Sequence, residues 1–589
     1  MRKFAIIIIL LLFPLYVFAD THYVSKNGSD TYPYTSWATA ADSIQKGINA
    51  ASYGDTVRVG TGTYHEYRVT IGSGVTLIGA GIDSSIIDAS FVHYDTIAHV
   101  VDGEDSSSIE GFQIIGNRYS QGGTGLYGIV DHYGIPMRFI KGNRFSACDE
   151  GIFIRKCPLI INNLIDSCHV GISASTQQTS LIQNNTITYC SEGIMGWFSP
   201  RYPQIVKNIF HNTFTAISIT LNDSLLICNN LIYDDAEWSS VVIGDPTFTR
   251  KQLVSNNTIG GNKSSQYGVI NCSGDSDIRN NVIFGGDIGI WAYSSGVILT
   301  VGYDNLWDNT QNYKAHNGAV IDSSLGGNIY SDPMFLGGSD YHLQYASPCI
   351  DAGDPNIKDP DSSRSDIGCY GGVYGETYAY LDYPPKPPDS LSAISESTVT
   401  ILSWKPNTES DLSHYLVYKD TIAGFIPDTF KIVGNIHKDS SIFRDYDFIL
   451  GKTYYYRVSA WDLTGHQSEY SDELEVQATS VGEYTEEENR PPMYQLSQNY
   501  PNPFNSETVI WYYLPDVGYQ PAEVEITIYN LLGKRVKSLV NGREYPGEHK
   551  VRWDGKDNLG KEVSSGIYFY RLKVSGLELV KAKKMVLLR

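Results

Sequence analysis

Through the middle of the chain, apolar positions return in one frame. An aliphatic residue is followed by two variable positions, an Asn, one variable position and a second apolar residue. About seven residues later, several units carry Gly-Ile. The Asn recurs at Asn143, Asn163, Asn185, Asn208, Asn230, Asn257, Asn281 and, more loosely, Asn305, in steps of 20, 22, 23, 22, 27, 24 and 24 residues. Three positions before it stand Ile140, Ile160, Ile182, Ile205, Ile227, Val254 and Ile278; two after it stand Phe145, Ile165, Ile187, Phe210, Ile232, Ile259 and Ile283. An earlier unit, IEGFQI, keeps the frame with Phe112 in the Asn slot.

Repeats of this length build solenoids. A Leu-rich frame would indicate leucine-rich repeats, but these units are Ile-rich and broken by Asn and Gly. Ile, Val, Phe and Thr favour strands, and Asn and Gly accept left-handed backbone at bends. The pattern predicts an all-β fold. Each unit is one coil of a parallel β-helix, with three short strands around an apolar interior and equivalent residues stacked about 4.8 Å apart. The Asn is then a bend residue whose amide bonds its neighbours along the axis. Cys148, Cys168 and Cys190 each fall five residues after an Asn, so they stack too, either bridged or as a thiol run.

The flanks carry other patterns. Between residues 21 and 58, Ile44 and Ile48 share one helical face, extended by Ala40 and Ala51, and Gly54 follows as a stop. That helix is expected to cap the solenoid, whose coils run from about Val57 to Leu343. The Asp-, Gly- and Pro-rich stretch 330–372 is expected to close the other end. TYAYLDYPP, residues 377–385, is a Pro-rich linker. Alternating segments at 386–479 and 494–589, separated by a linker at 480–493, predict two small β-sandwiches.

Composition narrows the setting. The chain opens MRKFAIIIILLLFPLYVFAD: two basic residues, an apolar core and a small-residue cleavage site at Ala19. Residues 1–19 are therefore expected to be a secretory signal peptide, with residues 20–376 forming the solenoid domain of the exported chain. No later run has the length of a transmembrane helix. A net charge of −21 and a pI near 5.0 lack the basic footprint of nucleic-acid binding. Cys349 and Cys369 flank a loop in a way that suits a disulfide in an oxidising compartment. No Cys/His cluster has zinc-ligand spacing.

Several stretches resemble known families. THYVSKNGSD, SIQKGINAASYGDTVRVGTGTYHEYRVTI and VTLIGAG, with SDPMF, SPCIDAGDP and DIGCYGG, resemble exported right-handed parallel β-helix proteins of the pectin-lyase-like superfamily. SDLSHYLVYKD and TYYYRVSAWDLTGHQSEYSD resemble a fibronectin type III domain. YPNPFN and the final KKMVLLR resemble the C-terminal sorting domain of type IX secretion cargo, which implies that secretion machinery as a partner and display at the cell surface.

In the pectin-lyase-like superfamily, chemistry sits on the outward face of one stacked sheet. With Ile152, Ile172, Ile194, Ile217 and Ile290 inward, the outward set is Phe153 and Arg155, Ser173 and Ser175, Met195 and Trp197, Ser218 and Thr220, Trp291 and Tyr293. An earlier strand adds Val130 and His132. Trp197, Trp291 and Tyr293 are candidate sugar platforms, and Arg155 and His132, with Lys156 and Arg201, are candidate basic groups. The signature segments of pectin methylesterases and polygalacturonases are absent, and RYPQIV at 201–206 half-matches a pectate lyase element. Catalytic residues are thus unassigned. No cofactor is expected, beyond structural calcium at Asp351, Asp354, Asp359 or Asp361 as the alternative to a plain Asp-capped loop. Three functions remain in order: binding of a polysaccharide or cell-surface glycan, a lyase or glycoside hydrolase of unrecognised type, and a non-catalytic adhesin or envelope element.

Overall fold

The computed structural model describes residues 19–588 except 93–97, 119–124, 132–135, 176–179, 199–201, 222–223, 234–239, 245–251, 265, 317, 396–398, 450, 478–494, 498, 515–521, 546 and 575–579. The chain divides into two compact units, Met1–Tyr383 with Thr408–Ser410, and the remainder.

The first unit is a parallel β-solenoid. Three sheets run along it, each strand pairing with its equivalents in neighbouring coils. In one coil, Phe139–Lys141 lies in sheet 1, Arg144–Ser146 in sheet 2 and Glu150–Ile154 in sheet 3. The register repeats as expected: Ile140↔Ile160↔Ile182↔Ile205 in sheet 1, and Ile152↔Ile172↔Ile194↔Ile217 in sheet 3. These side chains are fully buried and form one continuous core. Helix α1, Ile44–Ala50, buries Ile44 and Ile48 against that core; Ser43 caps it, accepting from the Lys46 N–H.

The corner between sheets 1 and 2 explains the Asn pairs. The first residue of each pair takes the left-handed conformation, with φ of 58° at Asn162, 54° at Asn184, 55° at Asn229, 52° at Asn256 and 59° at Asn280. The second residue makes the ladder. Asn185 Nδ2 donates to the Ile160 carbonyl at 2.9 Å and to Asn208 Oδ1 at 3.0 Å, and Asn208 Oδ1 also accepts the Asn185 N–H at 3.0 Å. The same bonds repeat from Asn143 to Asn281. Bend and ladder are thus separate tasks on adjacent residues, where the sequence pattern gave both to the second Asn. The series also ends differently. Asn281 bonds Asp304 Oδ1 at 2.9 Å, so Asp304 and not Asn305 holds the slot.

The next corner repeats the design in sulfur. Ala147, Ser167 and Tyr189 are left-handed, and Cys148, Cys168 and Cys190 follow them. Each thiol donates to the carbonyl two residues before it, at 3.4–3.6 Å. All eight cysteines are free and buried, including Cys349 and Cys369. The expected Cys349–Cys369 bridge is therefore not formed: Cys349 Sγ lies 3.1 Å from Asn305 Nδ2, and Cys369 is held by Thr258 through its N–H.

The closing segment corrects another expectation. Solenoid strands end at Val320–Asp322, and Phe335–Gly337 pairs antiparallel with Asp340–Leu343 as a hairpin. The chain after it docks on the side of the solenoid as a strap, running back along the Asn corner. Asn280 Oδ1 accepts the Asp354 N–H, Asn256 Nδ2 donates to the Asp366 carbonyl, and Asn229 Nδ2 donates to the carbonyls of Cys369 and Gly371. Left-handed Asn residues thus carry a second role, as anchors for the strap.

The second unit holds two small antiparallel sandwiches. In one, Asp389–Ser395, Thr400–Lys405 and Ile442–Asp445 face a four-stranded sheet of Leu412–Asp420, Ile432–His437, Thr453–Asp462 and Leu474–Gln477, over Trp404, Tyr415 and Tyr456. In the other, Thr508–Leu514 and Gly547–Trp553 belong to a three-stranded sheet, and Ala522–Asn530, Arg535–Glu544, Gly566–Val574 and Val580–Leu587 to a four-stranded one, over Trp553 and Tyr570.

Candidate functional site

Alternation places the expected residues on the outward face of sheet 3. The register aligns Val130, Phe153, Ser173, Met195 and Ser218 in one row, and Asn271, Trp291 and Lys314 in the corresponding row of later coils. His132 and Arg201 lie outside the described residues. Trp197 is the penultimate residue of strand Glu192–Phe198, paired with Thr220, and its side chain lies outside the described ones.

Two clusters stand out. In the first, Tyr127 stacks on Phe153 at 5.4 Å, and the Arg155 guanidinium lies 5.4 Å over the same Phe153 ring. Asp131 fixes this end of the strand, accepting the Arg155 N–H at 2.7 Å and the Lys156 N–H at 2.5 Å. Burial raises the Asp131 carboxyl above its ordinary range, and these two bonds oppose the rise.

Beside this cluster runs a row that the sequence reading passed over: Tyr127, then Glu150, Val170, Glu192 and Thr215, one per coil. Glu150 and Glu192 flank the buried Val170, and each keeps one buried carboxylate oxygen without a hydrogen-bond partner. Burial, with the charges of Asp149 and Glu192, pushes Glu150 up to about 7. The signal was legible, because both residues immediately precede the Gly of a Gly-Ile pair.

In the second cluster, Trp291 faces outward but is only 9% exposed. Lys314 Nζ sits 4.1 Å over its ring and Tyr293 packs edge-on at 5.1 Å. Trp291 therefore offers no open platform. Tyr293, 51% exposed and stacked with His316 at 6.2 Å, is the accessible ring. Lys314 and His316 come from the following coil, whose spacing departs from the Gly-Ile frame.

At the strap, three of the four candidate calcium carboxylates are engaged by donors, and Asp351 is exposed. Asp354 accepts from Arg279 at 2.8 Å and from the Asn356 N–H, Asp359 from the N–H groups of Asp366 and Gly372, and Asp361 from Ser363.

Residues 48–241 match the model of the NosD family, described as periplasmic copper-binding protein. The match spans about a third of the 589-residue chain. Residues 518–577 match the FlgD Ig-like domain. No curated protein matches the chain. Among solved structures, the chain is similar to an Fn3-like protein from Clostridium thermocellum, at 23% identity over 18% of this chain and all of that one, with a TM-score of 0.15. It is also similar to the third fibronectin III domain of human KIAA0343 protein, at 14% identity over 19% of this chain and 98% of that one, with a TM-score of 0.15. Dimeric latent PorU from Porphyromonas gingivalis aligns at 15% identity over 37% of this chain and 21% of that one, with a TM-score of 0.20. At these TM-scores the alignments carry no conclusion about this chain.

The NosD description raises the question of copper, which favours thiolate and imidazole ligands. The densest sulfur run in the matched span is Cys148, Cys168 and Cys190. It is buried, its thiols are spent on main-chain carbonyls, and contact with Cys148 pushes the Cys168 thiol up, as contact with Cys168 does for Cys190. A thiol held protonated is a poor ligand. Among the described residues, no three His, Cys, Asp or Glu side chains lying wholly within the solenoid bring ligand atoms within 4.8 Å of one another. These residues do not fit a copper centre.

Proposed function

We propose that the protein is exported and binds polysaccharide on the outward face of sheet 3. The observation that carries this reading is Tyr293: an exposed ring beside His316, on a face that also presents Phe153 with Arg155 above it. Flat rings stack on the apolar face of a sugar, and polar neighbours bind its hydroxyls. Retention on a panel of immobilised acidic and neutral polysaccharides tests it. The wild type is expected to bind at least one of them and Tyr293→Ala to elute earlier, whereas equal elution of the two proteins, or no retention at all, removes the reading.

A hydrolase is the second reading, favoured by Glu150 and Glu192. Their positions two coils apart imply a Cα separation of about 9–10 Å. Inverting glycosidases hold their two carboxyl groups roughly 6.5–9.5 Å apart, one of them protonated near neutral pH. New reducing ends that vanish in Glu150→Gln are expected on this reading; a polysaccharide bound but left intact by the wild type excludes it.

Export rests on the opening MRKFAIIIILLLFPLYVFA segment and is supported by the periplasmic description of the matched family. Display through type IX secretion machinery rests on YPNPFN and KKMVLLR. Deleting residues 494–589 is expected to trap the protein inside the outer membrane; unchanged surface display counts against the sorting reading.

A further inference from the structure

Where the strap leaves the Asn corner, a cleft of about 360 Å³ opens between it and the solenoid. It lies at the corner between sheets 1 and 2, away from the outward face of sheet 3. Its volume is at the lower end of the roughly 300–1,000 Å³ of small-molecule sites.

The walls differ in chemistry. His342 stacks on Tyr370 at 3.7 Å, with its two ring nitrogens against Asp340 at 2.6 Å and Glu376 at 2.9 Å, which makes a fixed flat wall. Ile209, 38% exposed, provides an apolar patch. Asn184 and Lys207, successive members of the left-handed corner row, line the cleft from the solenoid side. The Asn184 side chain makes no hydrogen bond among the described residues. Lys207 makes no ion pair there, and its ammonium reaches only the Gly375 carbonyl, at 3.4 Å.

We propose that this cleft binds one anion-bearing sugar ring, with the anionic group on Lys207, the ring's apolar face on Ile209 and its hydroxyls on Asn184 and Glu376. Among the described residues, Lys207 is the one lysine or arginine lining the cleft, in a chain whose net charge is −21. A half-buried ammonium with one weak carbonyl contact favours an anion over a neutral polyol. Amide and carboxylate at the rim give the paired donors and acceptors that sugar hydroxyls need. Carboxylate and sulfate ester satisfy Lys207 equally, so either substituent fits the geometry.

Calorimetric titration of the full chain with D-glucuronate, D-glucose 6-sulfate and D-glucose separates these cases. At least one of the two anions is expected to bind about tenfold or more tighter than glucose. Glucuronate alone assigns a carboxylate and the sulfate alone a sulfate ester. Lys207→Met is expected to abolish the preference. Because Lys207 also touches the strap, Asn184→Asp serves as a second variant: it adds a negative charge at the rim, loses no structural bond and should weaken the anions but spare glucose. Equal binding of all three sugars, binding of none, or a preference untouched by both variants overturns the proposal. Tyr293→Ala should leave these titrations unchanged, so failure here is distinct from failure of binding on sheet 3.

Discussion

Asp304 occupies a slot that Asn fills in the preceding coils, and the substitution has a cost. Its Oδ1 completes the ladder, but its Oδ2 is buried without a partner. Burial pushes this carboxyl up to about 7 from an ordinary 3.8, against the opposing bonds from Asn281. A carboxyl that holds its proton more tightly in the folded state favours folding at low pH. That contribution is full below about pH 3.8 and lost as pH rises towards 7, at about 1.4 kcal/mol per pKa unit. Asp304→Asn restores an amide and removes the loss. It is expected to raise the urea midpoint at pH 8 by an amount worth a few kcal/mol and to do little at pH 4; an equal effect at both pH values refutes the protonation argument. The sequence displayed this slot only loosely, because the Asn–Asn pattern gives way to Asp304–Asn305 and the eye follows the Asn. Glu150 was passed over for a related reason: period-2 alternation marks which side chains face out, whereas the burial of one of its carboxylate oxygens depends on what packs around it.

At the scale of the element, the Asn ladder and the thiol run solve the same problem. Each corner turns through one left-handed residue, and the next side chain must satisfy main-chain groups that no strand pairs. Asn does this fully, with Oδ1 accepting from one coil and Nδ2 donating to its neighbours. Cys does it weakly through one thiol, and its role is mostly to fill the apolar interior. Asn208→Leu therefore strips the Asn185 N–H of its bond and removes the amide's bonds to the Ile182 and Val206 carbonyls, of which Val206 keeps the Asn184 N–H. Each buried group left unpaired costs about 1–3 kcal/mol. A total loss of about 3–5 kcal/mol is expected in chemical denaturation, against about 1 kcal/mol or less for Cys168→Ser or Cys168→Ala, whichever is better tolerated. Comparable losses for the Asn and Cys variants would show that the ladder contributes no more than packing does. This level was the most legible in the sequence. The period, the inward Ile rows, the cap helix and the three-thiol stack follow from residue type and spacing alone, since every coil repeats the same local constraints.

For the solenoid as a whole, stability is close to a sum of coil terms and nearest-neighbour interfaces, so damage stays local unless something spans several coils. The strap does so. It bonds Asn280, Asn256, Asn229 and Lys207, one in each of four successive coils. Its course was illegible beforehand, because Asp, Gly and Pro announce irregular chain without saying where it docks, and the docking groups are Asn residues whose left-handed φ already accounts for their type. The strap should therefore couple coils that are otherwise independent. Asn229→Ala and Asn256→Ala together remove its central anchors while leaving the ladder residues Asn230 and Asn257 in place. Hydrogen exchange is expected to quicken across residues 352–376 and, as a unit, in the sheet 1 and sheet 2 strands between Gln204 and Phe284 that the strap covers. The strands from Ala98 to Ala174, which it does not reach, should keep their protection. If exchange rises only in the strap itself, the solenoid holds its coils together without it. If it rises evenly along the whole solenoid, the two substitutions have disturbed the left-handed corners rather than the docking, and Asn229→Gly with Asn256→Gly, which tolerate positive φ, should then restore the wild-type pattern outside the strap.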